Sequence, residues 1–288
     1  METSELLKRV RKIEIKTRGL SNQIFSGQYH SAFKGRGMAF SEVRGYQMGD
    51  DVRTIDWNVT ARAGEPYVKV FEEERELTVM LVVDVSGSGD FGSKVMIKRA
   101  LMTEICAVLS FSAIQNNDKV GIIFFSDRVE KFIPPKKGKS HILRIIRELI
   151  DFKPEHKGTN LAEALRYLTN VVKKRSIAFL LTDFMDKGYS DALKLANKKH
   201  DLVAIRVYDH LEQEIPNVGL LPMTDAETGK VVWVDTSSKE TRIKLKANGL
   251  RFEAELKDIL VKSGVDMAEV RTDGSYIKPL MNLFKRRG

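Results

Sequence analysis

Cysteine is nearly absent from this sequence, and it contains no long hydrophobic run. One cysteine, Cys106, occurs among 288 residues, which excludes an intrachain disulfide and the small disulfide-stapled folds. No stretch approaches the roughly 18 to 20 apolar residues of a membrane-spanning helix. The first residues also lack the apolar core of a signal peptide. We therefore expect a cytoplasmic protein.

Histidine is scarce as well, and two common kinds of site are missing. The five histidines have neither the mutual spacing nor the cysteine companions of a zinc site, which argues against a bound transition metal. Gly138-Lys-Ser140 resembles the end of a phosphate-binding loop, but Ile133 stands where that motif requires its first glycine. We predict no nucleotide site.

Positive charge exceeds negative charge by nine at neutral pH. Basic and acidic residues are nevertheless mixed along most of the chain, and only Lys285-Arg-Arg287 forms a compact basic end. A nucleic-acid binder is therefore an alternative reading, and it predicts an affinity that falls steeply with salt.

Apolar strand-like runs alternate with helical patterns from residue 77 onward. The runs of buried-strand character are 77–83, 119–125, 177–182 and 202–208. Such alternation predicts an α/β fold, a doubly wound and mostly parallel sheet with helices on both faces. We expect residues 76–288 to form this domain and residues 1–75 to form an irregular and β-rich N-terminal segment that packs on it.

Polar side chains gather at the ends of two predicted strands. Asp84-Val-Ser86-Gly-Ser88 follows the first strand, Asp183 ends another, and Thr159 precedes a helix. Ligands of open α/β sheets bind outside the carboxyl ends of the strands, where these side chains can converge. Carboxylate and hydroxyl oxygens are hard donors suited to Mg²⁺. The alternative is a turn with helix-capping serines.

Asp84 could also be the nucleophile of a phosphatase-type enzyme. Such a site uses a second aspartate two residues later as general acid. Here that position is Ser86, which cannot transfer protons near neutral pH.

The same five residues resemble the metal-ion-dependent adhesion site of von Willebrand factor A (vWA) domains. That resemblance implies that Ser86, Ser88 and Thr159 ligate directly, and that Asp84 and Asp183 act directly or through water. The bulky residue usual after the second serine is Gly89 here. This departure removes no ligand.

A second resemblance comes from the N-terminal segment and covers roughly residues 20–235 together with the metal motif. The matching stretches are similar to the MoxR-associated family, the domain-of-unknown-function family 58. They are Gly35-Arg-Gly-Met-Ala-Phe40, Arg44-Gly-Tyr46, Gly49 through Trp57, Ala61-Arg62 and Val68-Lys-Val-Phe71. The resemblance implies a partner, a MoxR-type AAA+ ATPase, in a chaperone-like system.

Our interpretation is a non-enzymatic interaction module that binds Mg²⁺ and, through it, an Asp or Glu of a client protein. Two alternatives stay open. One is a metal-dependent hydrolase that uses Asp50, Asp51 or Asp56 beside the ion. The other is the nucleic-acid binder. The hydrolase requires those carboxylates to lie near Asp84.

Overall fold

A computed structural model describes residues 3–20, 29, 32, 39–72, 76–92, 96–212, 214–224 and 230–287. The chain divides into two compact units, residues 34–76 and the remainder. The predicted N-terminal segment, residues 1–75, is therefore shared between the two units, because helix α1 (Thr3–Leu20) belongs to the larger unit. Residues 35–38 of the first family motif lie outside the described residues.

The smaller unit is built on a two-stranded antiparallel sheet. Strand β1 (Ala39–Gly45) pairs with β2 (Tyr67–Glu72), and the short helix α2 (Trp57–Ala63) lies between them in sequence. Helix α2 ends at Gly64, whose φ of 76° is a left-handed conformation that glycine adopts without strain. The segment is thus more regular than the irregular structure that its turn-forming residues predict.

The larger unit continues after residue 76 with alternating strands and helices. In chain order they are β3 (Thr78–Asp84), α3 (Lys98–Gln115), β4 (Lys119–Phe125), β5 (Val129–Lys136), α4 (Lys139–Asp151), α5 (Leu161–Val171), β6 (Ile177–Thr182), α6 (Ser190–Lys199), β7 (Asp201–Tyr208), β8 (Leu220–Thr224), β9 (Val231–Asp235), α7 (Lys239–Lys262), β10 (Asp266–Arg271) and α8 (Ile277–Arg287).

Six of these strands form one sheet in the order β10-β7-β6-β3-β4-β5. All neighbours are parallel except β5, which runs antiparallel to β4 at one edge. A separate antiparallel hairpin joins β8 and β9.

Helices cover both faces of this sheet, as the sequence predicts. Successive side chains of a strand point to opposite faces, so Leu81 and Val83 join the core under α1, α3, α4 and α8. Met80 and Val82 join the core under α5, α6 and α7. All four side chains are at most 2% exposed. The predicted α/β class, with its mostly parallel sheet between two helical layers, is confirmed.

The parallel strands bring several loops to one edge of the sheet. Strands β3, β4, β6 and β7 end at Asp84, Phe125, Thr182 and Tyr208, and the loops that follow them share this carboxyl edge. None of the helices in the described ranges is long and apolar enough to cross a membrane.

Acid should weaken the fold through His200, which precedes β7 and is fully buried. Its Nδ1 lies 3.0 Å from Ser176 Oγ. Burial, with the nearby charges of Lys199 and Arg175, lowers the pKa of His200 to about 4. The unfolded chain therefore binds a proton first, near pH 6.5, and stability falls from there down to about pH 4.

We expect the free energy of unfolding, measured with urea between pH 6.5 and pH 4, to decrease more steeply on acidification in the wild type than in His200→Gln. The excess slope should be at most about 1.4 kcal/mol per pH unit. Parallel slopes over that window would contradict a buried neutral histidine.

Candidate metal site

The register of the sheet places two of the predicted ligands side by side. Val83 of β3 lies opposite Leu181 of β6 in a parallel pair. Asp84 therefore leaves its strand next to Thr182, and Asp183 follows directly. Both aspartates are 3% exposed, so their charges lie under the carboxyl edge and not on the open surface.

The carboxylate of Asp84 is fixed at both oxygens. Oδ1 accepts a hydrogen bond from Ser86 N at 2.9 Å, and Oδ2 accepts one from Thr182 Oγ1 at 2.7 Å. Burial, together with the negative charge of Asp183, raises the pKa of Asp84 to about 6. Sequence reasoning did not single out Thr182, although it stands one position before Asp183 in the same strand end.

The loop after β3 gathers the two serines. Ser86 Oγ and Ser88 Oγ lie 3.1 Å apart, and Ser88 also hydrogen-bonds to the side chain of Asp183. A short 3₁₀ turn, Gly87–Asp90, shapes this loop. A Cβ on Gly89 would meet only Arg99 at an ordinary 3.8 Å, so the position does not require glycine.

Thr159 is brought to the neighbourhood by its loop. Gly87 N donates to Lys157 O at 2.9 Å, which holds the loop before α5 against the serine loop. Thr159 itself is half-buried, and its hydroxyl enters none of the hydrogen bonds found among the described residues. The structure thus joins four of the five predicted side chains by direct interactions and places the fifth on an adjoining loop.

A buried lysine at the start of α3 completes the site, and sequence reasoning missed it. Lys98 Nζ lies 2.7 Å from Asp183 Oδ2 and 2.5 Å from Glu212 Oε1. Its residue exposure is 1%. Burial alone would lower the pKa of Lys98, but the two carboxylates outweigh it and raise that pKa. Lys98 therefore remains an ammonium ion inside the fold.

The Lys98 ammonium makes the pKa values of the carboxylates at the site differ. Burial alone would raise the pKa of Asp183, but the charge and hydrogen bond of Lys98 outweigh it and lower the pKa. Burial raises the pKa of Glu212 despite the same lysine. Asp183 is thus the more firmly ionised carboxylate of the site, next to the two serine hydroxyls.

This donor set fits a small hard cation. Carboxylate and hydroxyl oxygens converge. The Lys98 ammonium contacts two acidic side chains, Asp183 and Glu212, and Asp84 adds a third, so the site has negative charge left to balance. No cluster of three or more His, Cys, Asp or Glu of the kind that holds a metal occurs in the described ranges. A cation here would depend on the hydroxyl oxygens.

The three aspartates of the smaller unit that the hydrolase alternative requires have local structural partners. Asp50 forms two hydrogen bonds of 2.8 Å with the Arg44 guanidinium, which lowers the pKa of Asp50. Asp51 accepts from Arg53 N at 2.9 Å and starts a 3₁₀ turn. Asp56 accepts from the backbone N–H groups of residues 58 and 59 and so caps α2. These roles stabilise the local fold.

Comparison with known families matches the region that holds these features. The family described as "Protein of unknown function DUF58" matches residues 42–255, well over half of the 288 residues. The chain belongs to this family. The match spans most of the smaller unit and the whole of the candidate site, so the predicted membership of family 58 is confirmed, whereas the MoxR association stays a prediction.

This DUF58 protein also resembles individual relatives and solved structures. The uncharacterized protein Rv1480 of Mycobacterium tuberculosis is 27% identical over 295 residues, covering 100% of this chain and 92% of its own length. BatB from Bacteroides thetaiotaomicron is 18% identical, with a TM-score of 0.47, covering 73% of this chain and 98% of that chain. The thread matrix protein PTMP1 of the mussel byssus, whose structure has zinc in its MIDAS motif (metal-ion-dependent adhesion site), is 14% identical with a TM-score of 0.38. That match covers 73% of this chain and 69% of that chain. These two structures are too distant to transfer function.

Replacing Lys98 should make the DUF58 fold depend on added cation. In Lys98→Met the buried carboxylate of Asp183 and the half-buried carboxylate of Glu212 lose their counter-charge, and we expect a loss of about 3 to 5 kcal/mol in the free energy of unfolding. Urea unfolding with and without Mg²⁺ checks this, because the ion should restore more stability to the variant than to the wild type.

Lys131→Met is the matched control. Lys131 Nζ lies 2.6 Å from Glu148 Oε2, but the two side chains are 37% and 27% exposed. That change should cost about 1 kcal/mol or less, with or without Mg²⁺. Equal losses for the two variants would refute the structural role of Lys98.

Proposed function

We propose that this protein is a non-enzymatic interaction module that binds a partner protein through a divalent cation, with Mg²⁺ the first candidate. The ligands would be Asp84, Ser86, Ser88, Thr159 and Asp183. The observation that carries the proposal is the 3.1 Å approach of the Ser86 and Ser88 hydroxyls beside two buried carboxylates.

The chemistry of these residues supports a ligand shell that a partner completes. Ser86 and Ser88 would offer neutral oxygens, and Asp84 is already engaged by Thr182 at 2.7 Å. A hard cation held largely by hydroxyls keeps much of its positive charge, so an oxygen anion is its natural further ligand. An Asp or Glu side chain of a partner supplies that anion.

Lys98 supports a site that functions with weakly held metal. Its ammonium already contacts Asp183, and it also contacts Glu212. When a cation approaches Asp183, the lysine can keep its contact with Glu212 without becoming an unpaired buried charge. The fold can therefore exist with and without metal, which suits reversible binding.

Membership of the DUF58 family, together with the sequence resemblance, supports a MoxR-type AAA+ ATPase as partner. We propose that the pair acts as a chaperone-like system in the cytoplasm, and that the client offers the Asp or Glu to the metal. The hydrolase alternative has less support, because Asp50, Asp51 and Asp56 are engaged in an ion pair and two caps.

A pull-down tests this function directly. The wild-type protein should retain the purified MoxR-type ATPase, or a client bound with it, in Mg²⁺ and release it in EDTA. Ser88→Ala removes one donor with little change in shape, and Asp84→Ala removes a carboxylate. We expect retention to fall roughly tenfold or more in each, because each loses part of the ion's coordination.

Asp127→Ala is the matched control at the same sheet edge. The Asp127 side chain is 45% exposed, and its carboxylate lies 3.3 Å from His156 Nδ1, so its loss should leave retention unchanged. Thermal unfolding of each variant verifies that it is folded. Equal retention by the wild type and both site variants, in Mg²⁺ and in EDTA, would overturn the proposed function.

A further inference from the structure

The β8–β9 hairpin exposes apolar side chains on both of its faces. Trp233 and Leu220 are each 63% exposed, and Val231 and Val232 are 54% and 60% exposed. Since neighbours in a strand alternate, Val231 and Trp233 share one face, whereas Val232 lies on the other. The two strands pair only with each other among the described residues. Soluble proteins seldom leave such a surface uncovered unless it binds something.

An open cavity of about 630 Å³ lies at the base of this hairpin. It is formed by the chain after β7 and by the first turns of α7. Its lining combines apolar and basic side chains. The residues that give it this character are Leu211, Ile215, Ile243, Lys239, Arg242 and Lys246.

Hydrogen bonds tie the hairpin to this cavity. Arg242 Nη1 donates to Ser237 O at 2.9 Å, and Thr236 Oγ1 donates to Gly219 O at 2.6 Å. The first turns of α7 and both ends of the hairpin are therefore fixed to one another. The cavity therefore lies beside the ends of the two strands, since Asn217 and Lys239 line it.

The charge of the cavity favours an acidic ligand. Three cationic side chains line it, with one carboxylate, Glu214, which lies 3.0 Å from Lys246 Nζ. Lys239 is exposed and takes part in none of the ion pairs of the described residues. Arg242 is bonded to neutral carbonyl oxygens. A ligand with carboxylates would complement this excess of positive charge.

We propose that the β8–β9 hairpin and its basal cavity form a docking surface for an extended, acidic and apolar segment of a partner protein. The free strand edges can accept a further strand, with alternate side chains placed on the apolar faces. A partner's strand can pair with those backbone edges, whereas a lipid surface offers them no backbone groups, which favours a protein ligand over a membrane.

This surface goes beyond the metal site and does not require the cation. The two are joined by a short segment, because Glu212 contacts Lys98 at the metal site and Glu214 lines the cavity two residues later. One partner could therefore touch both.

Tryptophan fluorescence in EDTA tests the surface without any contribution from metal. The chain has two tryptophans, so Trp57→Phe in the full-length protein leaves Trp233 as the only reporter. The probe is the synthetic peptide Glu-Leu-Glu-Val-Glu-Leu-Glu, and its counterpart has lysine in place of every glutamate. We expect a blue shift and protection from acrylamide with the acidic peptide alone.

Two further changes, made in the Trp57→Phe background, should each weaken peptide binding at least tenfold. Val231→Ser removes apolar contact, and Lys239→Glu reverses a charge that is exposed and free of ion pairs within the described residues. Lys198→Glu is the matched control, because Lys198 is an exposed lysine of α6 that also takes part in no ion pair among the described residues, and it should leave binding unchanged.

Four results would overturn the proposal. They are no response to the acidic peptide, an equal response to the lysine peptide, a blue shift only with phosphatidylcholine–phosphatidylglycerol vesicles, and a blue shift that grows with protein concentration when no peptide is present. The last two would assign the surface to a membrane or to a second copy of the chain. Because EDTA is present, none of these results bears on the metal site, which the pull-down tests separately.

Discussion

The contact between the Lys98 ammonium and the Asp183 carboxylate is the interaction on which the rest of the site depends. Parallel strands β3 and β6 are neighbours, so the fold must bring Asp84 and Asp183 together under one edge of the sheet. Two buried carboxylates without a neighbouring cation would destabilise the fold, and one of them would take up a proton. The lysine at the start of α3 supplies a permanent counter-charge, and Glu212 holds it from the other side. The edge is therefore stable and still negative.

That remaining negative charge connects fold and function. The serine loop supplies neutral oxygens, and the loop before α5 is held against it through Gly87 and Lys157. A hard cation would find oxygen ligands here but an incomplete coordination shell, which a partner's carboxylate is suited to complete. The segment after β7 carries Glu212 at the site and Glu214 at the basic cavity, so two surfaces of different chemistry lie along one short stretch of chain.

The sequence predicts the framework well because the framework follows from local patterns. Apolar runs mark the buried strands, and in parallel strands their polar ends must share an edge, so Asp84, Ser86, Ser88 and Asp183 could be found without coordinates. Lys98 could not. A lysine in the first turn of a helix usually points to solvent, and its burial depends on Glu212, which is distant in sequence. Thr182 was missed for a related reason, because its hydroxyl bond to Asp84 crosses between strands. Thr159 had a visible motif, yet its side chain depends on the course of a loop.

Anomalous diffraction from crystals soaked in MnCl₂ tests the central claim most directly, since Mn²⁺ takes the same hard oxygen ligands as Mg²⁺. We predict one strong peak bounded by the Ser86 and Ser88 hydroxyls and the Asp183 carboxylate, with Lys98 kept on Glu212. Ser88→Ala should weaken or abolish that peak in the same crystal form. A wild-type map without a peak at this edge, with Lys98 still on Asp183, would contradict a metal-dependent site.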